Sequence, residues 1–289
     1  EIYTLSLHDA LPILEYKKEA DSVLKQHEKK EKSAAYKTGV IIAGLLLIPI
    51  LITFIVCLSN GGGLNTFAVV TASMLLVAAM TVVPLMAQQK KLTKCIICGV
   101  FALLLIFFFV DRMYSSNEFM LWSVPTIFGL SIVLFPFVIR GIELPPVLSD
   151  KKALITMLWD TLWLFLTIIE VCGHTNDVAG MKAGCIIAFV FVLAAWLIFF
   201  DARYLNANGF IKSAIIVLIA SVWTAFADDI CEFLIFGTRQ ITIKSVNFSD
   251  WTSNICVNAN VYAIVLVSGV IIASILFVAG GIKAFANKK

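Results

Sequence analysis

The chain is poor in charge. Asp, Glu, Lys and Arg make up only 14% of its 289 residues, against 60% hydrophobic, where a soluble domain carries about 25% charged residues. That shortage excludes an ordinary water-soluble domain. Histidine is scarce, with three in all. The seven cysteines show no metal-ligand spacing beyond one pair, Cys95-x-x-Cys98, and two cysteines at helical spacing in an apolar run read as small buried residues. No nucleophile elbow, phosphate loop or zinc-protease motif occurs. Catalytic residues, cofactors and a metal are therefore not expected, and the chain reads as no enzyme. The net charge of +3 is small and the basic residues are scattered, so nucleic acid is not an expected partner.

What the chain has instead is long apolar runs. Eight of them span about 38–58, 66–87, 95–110, 119–139, 153–172, 183–200, 210–236 and 258–282. A helix needs about 20 residues to cross a hydrocarbon core of about 30 Å. The fold class is an all-α polytopic transmembrane bundle, with the bilayer as first partner. The third run is short unless Lys94 and Asp111 snorkel to the interfaces. With the N-terminus inside, only Arg112, Lys182, Arg239 and Lys244 of the 22 basic residues fall on the outer side. Such a bias sets orientation and implies that both ends are cytoplasmic.

Several segments lie between or before the runs. Residues 1–13, EIYTLSLHDALPI, resemble a translated sequencing adapter and are set aside from fold and function; a soluble segment lost upstream is the matching expectation. Residues 14–37 form a charged juxtamembrane helix with seven lysines and five acids. Gly61–Gly63 supply a turn. The connector 142–152 contains Pro145 and Pro146, which break helix, and Ser149 or Asp150 to cap the next one. It separates a four-span half, 38–141, from a second, 153–289, and repeats of this layout would be parallel. In the outer loop 237–257, QITIKSV alternates with period two and reads as a short strand; Asn247-Phe248-Ser249 fits a glycosylation sequon.

Two polar stripes interrupt the apolar runs. In the fifth, Thr156, Asp160, Trp163, Thr167, Glu170 and His174 recur at spacings of 4, 3, 4, 3 and 4, one face of a helix. In the seventh, Ser221, Thr224, Asp228 and Cys231 follow at 3, 4 and 3, with Asp229 and Glu232 beside them. No span interior holds a Lys or Arg. A buried acid there must be protonated, hydrogen-bonded, hydrated or cation-bound. Asp160, Glu170, Asp228 and Glu232 are thus a candidate proton or cation site. The plainer alternative puts the outer acids at the water interface and makes Asp160 a hydrogen-bonding contact between helices. Glu170 and His174 have the spacing of a ligand pair, but only one histidine is available on that side. Cys231 and Cys256 are a candidate disulfide closing the outer loop. Pro49, Pro84, Pro125 and Pro136 lie within runs and read as packing kinks.

From Lys37 to about Gly173 the chain resembles uncharacterised bacterial multi-spanning inner-membrane proteins, on the stretches TGVIIAGLLLIPILITFIVCLSNGGGL and TIFGLSIVLFPFVIRGIELPP. In these the membrane domain follows a small cytosolic regulatory or permease-prefix segment. The resemblance implies a bacterial cytoplasmic-membrane location and no reaction. The expected role is a non-enzymatic accessory or signalling domain, with a cytosolic regulatory protein or a second copy as partner. The alternative is a transporter component coupled to protons or cations through the acids of the fifth and seventh spans. An impermeant amine reagent added outside intact cells is expected to modify Lys244 and to spare Lys90, Lys91 and Lys94; the reverse pattern would invert the topology.

Overall fold

The computed structural model describes residues 7–60 and 64–286, with the side chains of Leu24 and of residues from 30 onward. Glu1–Ser6, the side chains of 7–23 and 25–29, the Gly61–Gly63 turn and residues 287–289 lie outside the described residues. Helices α1 to α9 are Leu7–Ser59, Asn65–Met86, Lys91–Tyr114, Phe119–Gly141, Pro146–Ser149, Lys152–His174, Val178–Tyr204, Gly209–Phe236 and Asn254–Ala286. Among the described residues, eight helices are long and apolar enough to cross a membrane, all but the four-residue α5. This is the all-α build of a multi-pass membrane protein.

One expectation about elements changes and one is filled in. The third span, expected to be short unless its charged ends were included, does include them: α3 runs for 24 residues. Lys91 opens it, Arg112 stacks over the Phe108 ring at 5.4 Å, and Ser115, at a φ of 53°, ends it in the left-handed conformation that closes many helices. The strand expected in QITIKSV is a 3-10 turn, Thr242–Ser245. An alternating segment needs a neighbouring strand to pair with, and here the Thr242 amide bonds to Asp229 instead. The charged segment and the first span form one helix, α1, of 53 residues, about 80 Å long.

The chain divides into two compact units, Glu1–Thr156 and Met157–Lys289. In the first, α2 packs on α1 and α3, and α4 packs on α3. Gly39 lets α1 approach α2, since a Cβ there would lie 2.9 Å from Met86. Buried Ala72 and Ala79 of α2 and Gly99 and Ala102 of α3 keep those two helices close. At the start of α3, Gly141 of α4 sits directly against the Thr93 side chain.

In the second unit α8 packs along α7 and α9. Lipid tails are as apolar as leucine, so helices join in a membrane where small residues let backbones come close. Ala214, Ser221 and Ala225 form such a strip on α8, and Gly269, Ala273 and Gly280 on α9, all buried. Gly269 meets the Ser221 side chain with no room for a Cβ. At the other end of the pair, Asn208 donates to the Gly280 carbonyl at 2.8 Å. Trp223 joins α8 to α7 by donating to the Val190 carbonyl at 3.0 Å. Helix α6 meets α7 through Trp196, whose Nε1 donates to Thr161 at 3.2 Å. Gly269→Val is expected to cost about 1–3 kcal/mol by overpacking, seen as a lower thermal midpoint in detergent; Gly44→Val, at a glycine with nothing within 4 Å, is expected to leave the midpoint unchanged.

Candidate functional site

The site begins with α6. Its apolar run carries Asp160 and Glu170, and the structure leaves both half-buried and His174 exposed; no residue of α6 is fully buried. The hydroxyls of the stripe are turned to their own backbone. Thr156 donates to the Lys152 carbonyl at 3.0 Å and Thr167 to the Trp163 carbonyl at 2.8 Å, the usual way for a threonine in a helix to satisfy its donor. Those protons are therefore not offered to the carboxylates.

On α8 the buried face is turned by one residue, about 100°, from the polar stripe. Ser221 and Cys231 are buried, but Thr224 and Asp228 are exposed and Glu232 is half-buried. Asp229 is the acid that turns inward, four residues after Ala225 on the strip that meets α9. Small side chains select this face, because they alone permit the close approach of α9. Helix α8 packs along α7 and α9 and not along α6. The two acid stripes therefore share no helix–helix interface. Among the described residues, no three His, Cys, Asp or Glu side chains are placed to hold a metal ion.

Asp229 closes the loop between α8 and α9. Its two oxygens accept from the Thr242 amide at 3.1 and 3.0 Å, and one also accepts the Thr242 hydroxyl. Asn260 of α9, fully enclosed at 0% exposure, makes the second tie. It accepts from the Asn247 amide at 2.8 Å and donates to the Asn247 and Asp250 carbonyls at 2.8 and 3.1 Å. Between the ties, Gly237 at a φ of 74° ends α8 in a conformation that costs other residues more. Just before α9, the Asp250 carboxylate accepts from the Thr252 amide at 2.9 Å, the Thr252 hydroxyl at 2.8 Å and the Ser253 amide at 3.3 Å. These bonds, the Thr252 amide first, hold its carboxyl below the ordinary value. Cys256 adds a thiol contact to the same carboxylate. Cys231 is buried, Cys256 half-buried, and both are free thiols.

A similar tie occurs in the first unit. Asp111, buried near the end of α3, accepts from the Ser116 hydroxyl at 2.9 Å and the Glu118 amide at 2.6 Å, so it turns the chain into α4. At the opposite end of that helix pair, the exposed Lys90 pairs with Glu143 at 2.6 Å; this hydrogen bond, and then the Lys90 charge, hold the Glu143 carboxyl below its usual range. One more acid stands out. Asp201, near the end of α7, is only 7% exposed, and neither of its oxygens has a hydrogen-bond partner among the described residues.

Asp111, Asp201, Asp229 and Asn260 were not among the residues that sequence reasoning selected as a site. Asp229 was in view, beside Asp228, and a helical wheel drawn on small residues would have chosen it. Asp201 follows two phenylalanines and reads as the end of a span. Comparison of the chain with protein-family models, with curated proteins and with solved structures finds no match. Asp229→Ala is expected to leave the Thr242 donors without an acceptor, a loss of about 1–3 kcal/mol, read as faster trypsin cleavage after Arg239 and Lys244 in the solubilised protein; Asp228→Ala is expected to leave the cleavage rate at that of the unaltered chain.

Proposed function

We propose that the chain is a non-enzymatic accessory or signalling domain of a bacterial cytoplasmic membrane, and that α1 carries the state of a cytosolic regulatory partner into the bilayer. The observation behind this reading is the unbroken course of α1 from the charged segment that begins at Leu14 to Ser59. Its first part is charged and its last 30 residues, Lys30–Ser59, are apolar enough to cross. A continuous helix is stiff over this length, so a tilt or rotation imposed outside the membrane reaches the span. The close approach of Gly39 to Met86 then passes the movement to α2, which packs on α3.

The second reading is a transporter component that couples proton or cation movement to Asp160, Glu170, Asp228 and Glu232. It draws support from Asp160 and Glu170, half-buried on one face of α6, in a chain whose span interiors hold no basic residue. It draws none from a shared α6–α8 interface. The signalling reading is favoured because its key element is continuous, whereas the acids are divided between helices that do not pack together.

In a strain lacking the gene, a copy carrying Ala35→Pro, which breaks α1 at a cost of about 3 kcal/mol, is expected to fail to restore the wild-type phenotype. Asp160→Asn with Glu170→Gln is expected to restore it. Proteoliposomes containing the purified chain and a trapped pH dye are expected to acidify no faster than protein-free vesicles. Rapid acidification that the paired acid substitutions abolish would replace the first reading with the second.

A further inference from the structure

The chain between α8 and α9, residues 237–253, does not stand clear of the helix ends. It folds back along them. Asp229, which holds Thr242, lies seven residues before the last residue of α8, about 10 Å along the axis. Asn260, which holds Asn247 and Asp250, lies six residues after the first of α9, about 9 Å along. The two ties share one level. Ser221 touches Gly269. From that contact Asp229 is eight residues along α8 and Asn260 nine along α9 in the same direction, about 12 and 13 Å. Apolar rings stand at this level. Phe248 is 56% exposed and Trp251 50%, and each follows by one residue a position that Asn260 holds. The Trp251 indole donates to the Phe248 carbonyl at 2.8 Å, so its one polar atom is satisfied within the loop. Arg239 returns toward α8 as well, its guanidinium 5.8 Å from the centre of the Phe233 ring.

We propose that the α8–α9 loop docks on the bilayer itself, with Phe248 and Trp251 seated among the headgroups and first acyl carbons of the leaflet on its side. Level selects this occupant. On α8, Lys212 and the exposed Asp228 bound a stretch without charge, about 24 Å long. With the side chains reaching outward at each end, it matches a hydrocarbon core of about 30 Å. An exposed carboxylate does not lie in hydrocarbon. Asp228 therefore marks the edge, and its neighbour Asp229 ties the loop there. The polar layer beyond that edge is roughly 5–8 Å thick, and a loop folded back to the edge lies within it. A soluble partner would meet the loop above the helix ends, whereas the two rings stand at ties about 10 Å below them. An indole whose N–H is satisfied suits this boundary, and the exposed Lys244 is placed to reach lipid phosphates. The docking depends on α8 and α9 crossing the bilayer. It does not depend on which side is cytoplasmic or on whether α1 transmits a signal.

The test uses the full chain in phosphatidylcholine vesicles, with the emission of Trp251 obtained as the difference between the wild type and Trp251→Phe. Trp251→Tyr is expected to give the same difference, which separates the signal of this indole from any change in the other tryptophans. Phosphatidylcholine brominated on its upper acyl carbons is expected to quench the difference emission severalfold. Lipid brominated near the chain end is expected to quench it less. Iodide in the water is expected to quench it severalfold less than it quenches N-acetyltryptophanamide in solution. Strong quenching by iodide with none by brominated lipid would overturn the proposal and leave the loop in water. Strongest quenching by the chain-end bromines would overturn it by placing the ring in the hydrocarbon core. Protection from both quenchers would overturn it in favour of a second copy of the chain covering the rings.

Discussion

Hydrocarbon offers no partner to a backbone amide or carbonyl, and each one left open there costs several kcal/mol. This chain meets that constraint by closing its hydrogen bonds within eight long helices. The same constraint governs the polar side chains inside them. Thr53, Thr71, Thr81, Thr126, Thr161 and Thr224 each donate to the carbonyl one turn back. A hydroxyl satisfied by its own helix is compatible with lipid and makes no demand on a neighbour.

With backbones satisfied and surfaces apolar all round, burial of grease does not select which helix faces meet. Close approach does. The strip Ala214, Ser221 and Ala225 against Gly269, Ala273 and Gly280 brings two backbones together, and dispersion between many atoms at short range follows from that. The rotation of α8 is a consequence: Asp229 points inward because it lies on the strip, and Asp228 points out because it does not. Polar ties then act at helix ends. Asp111, Asp229 and Asn260 each hold the connection that follows or precedes their helix by accepting backbone amides, bonds that are strong where water is scarce.

These packing rules bear on function through two features. One is the length of α1, which joins a charged segment and a span in a single rod. The other is the separation of acids by role. Asp229 is committed to the loop between α8 and α9, while Asp160 and Glu170 lie on a helix with no fully buried residue. An acid already spent on backbone amides is a poor proton carrier, since protonation would release the loop it holds.

The amino-acid sequence alone determined the helical class, the number of spans and most of their limits, because run length and polarity answer directly to bilayer thickness. It left the length of α3 conditional on its charged ends, and the helix takes in both Lys94 and Asp111. It misread QITIKSV, since alternation describes a strand only when another strand is there to pair with it. Candidate acids were legible as residue types at helical spacing on α6. Which acid is inside, which loop it holds and which helices share a face were decided by tertiary structure. The reason is that those outcomes depend on where a partner helix lacks side-chain volume, as at Gly269, and a single helix does not carry that information about its neighbour.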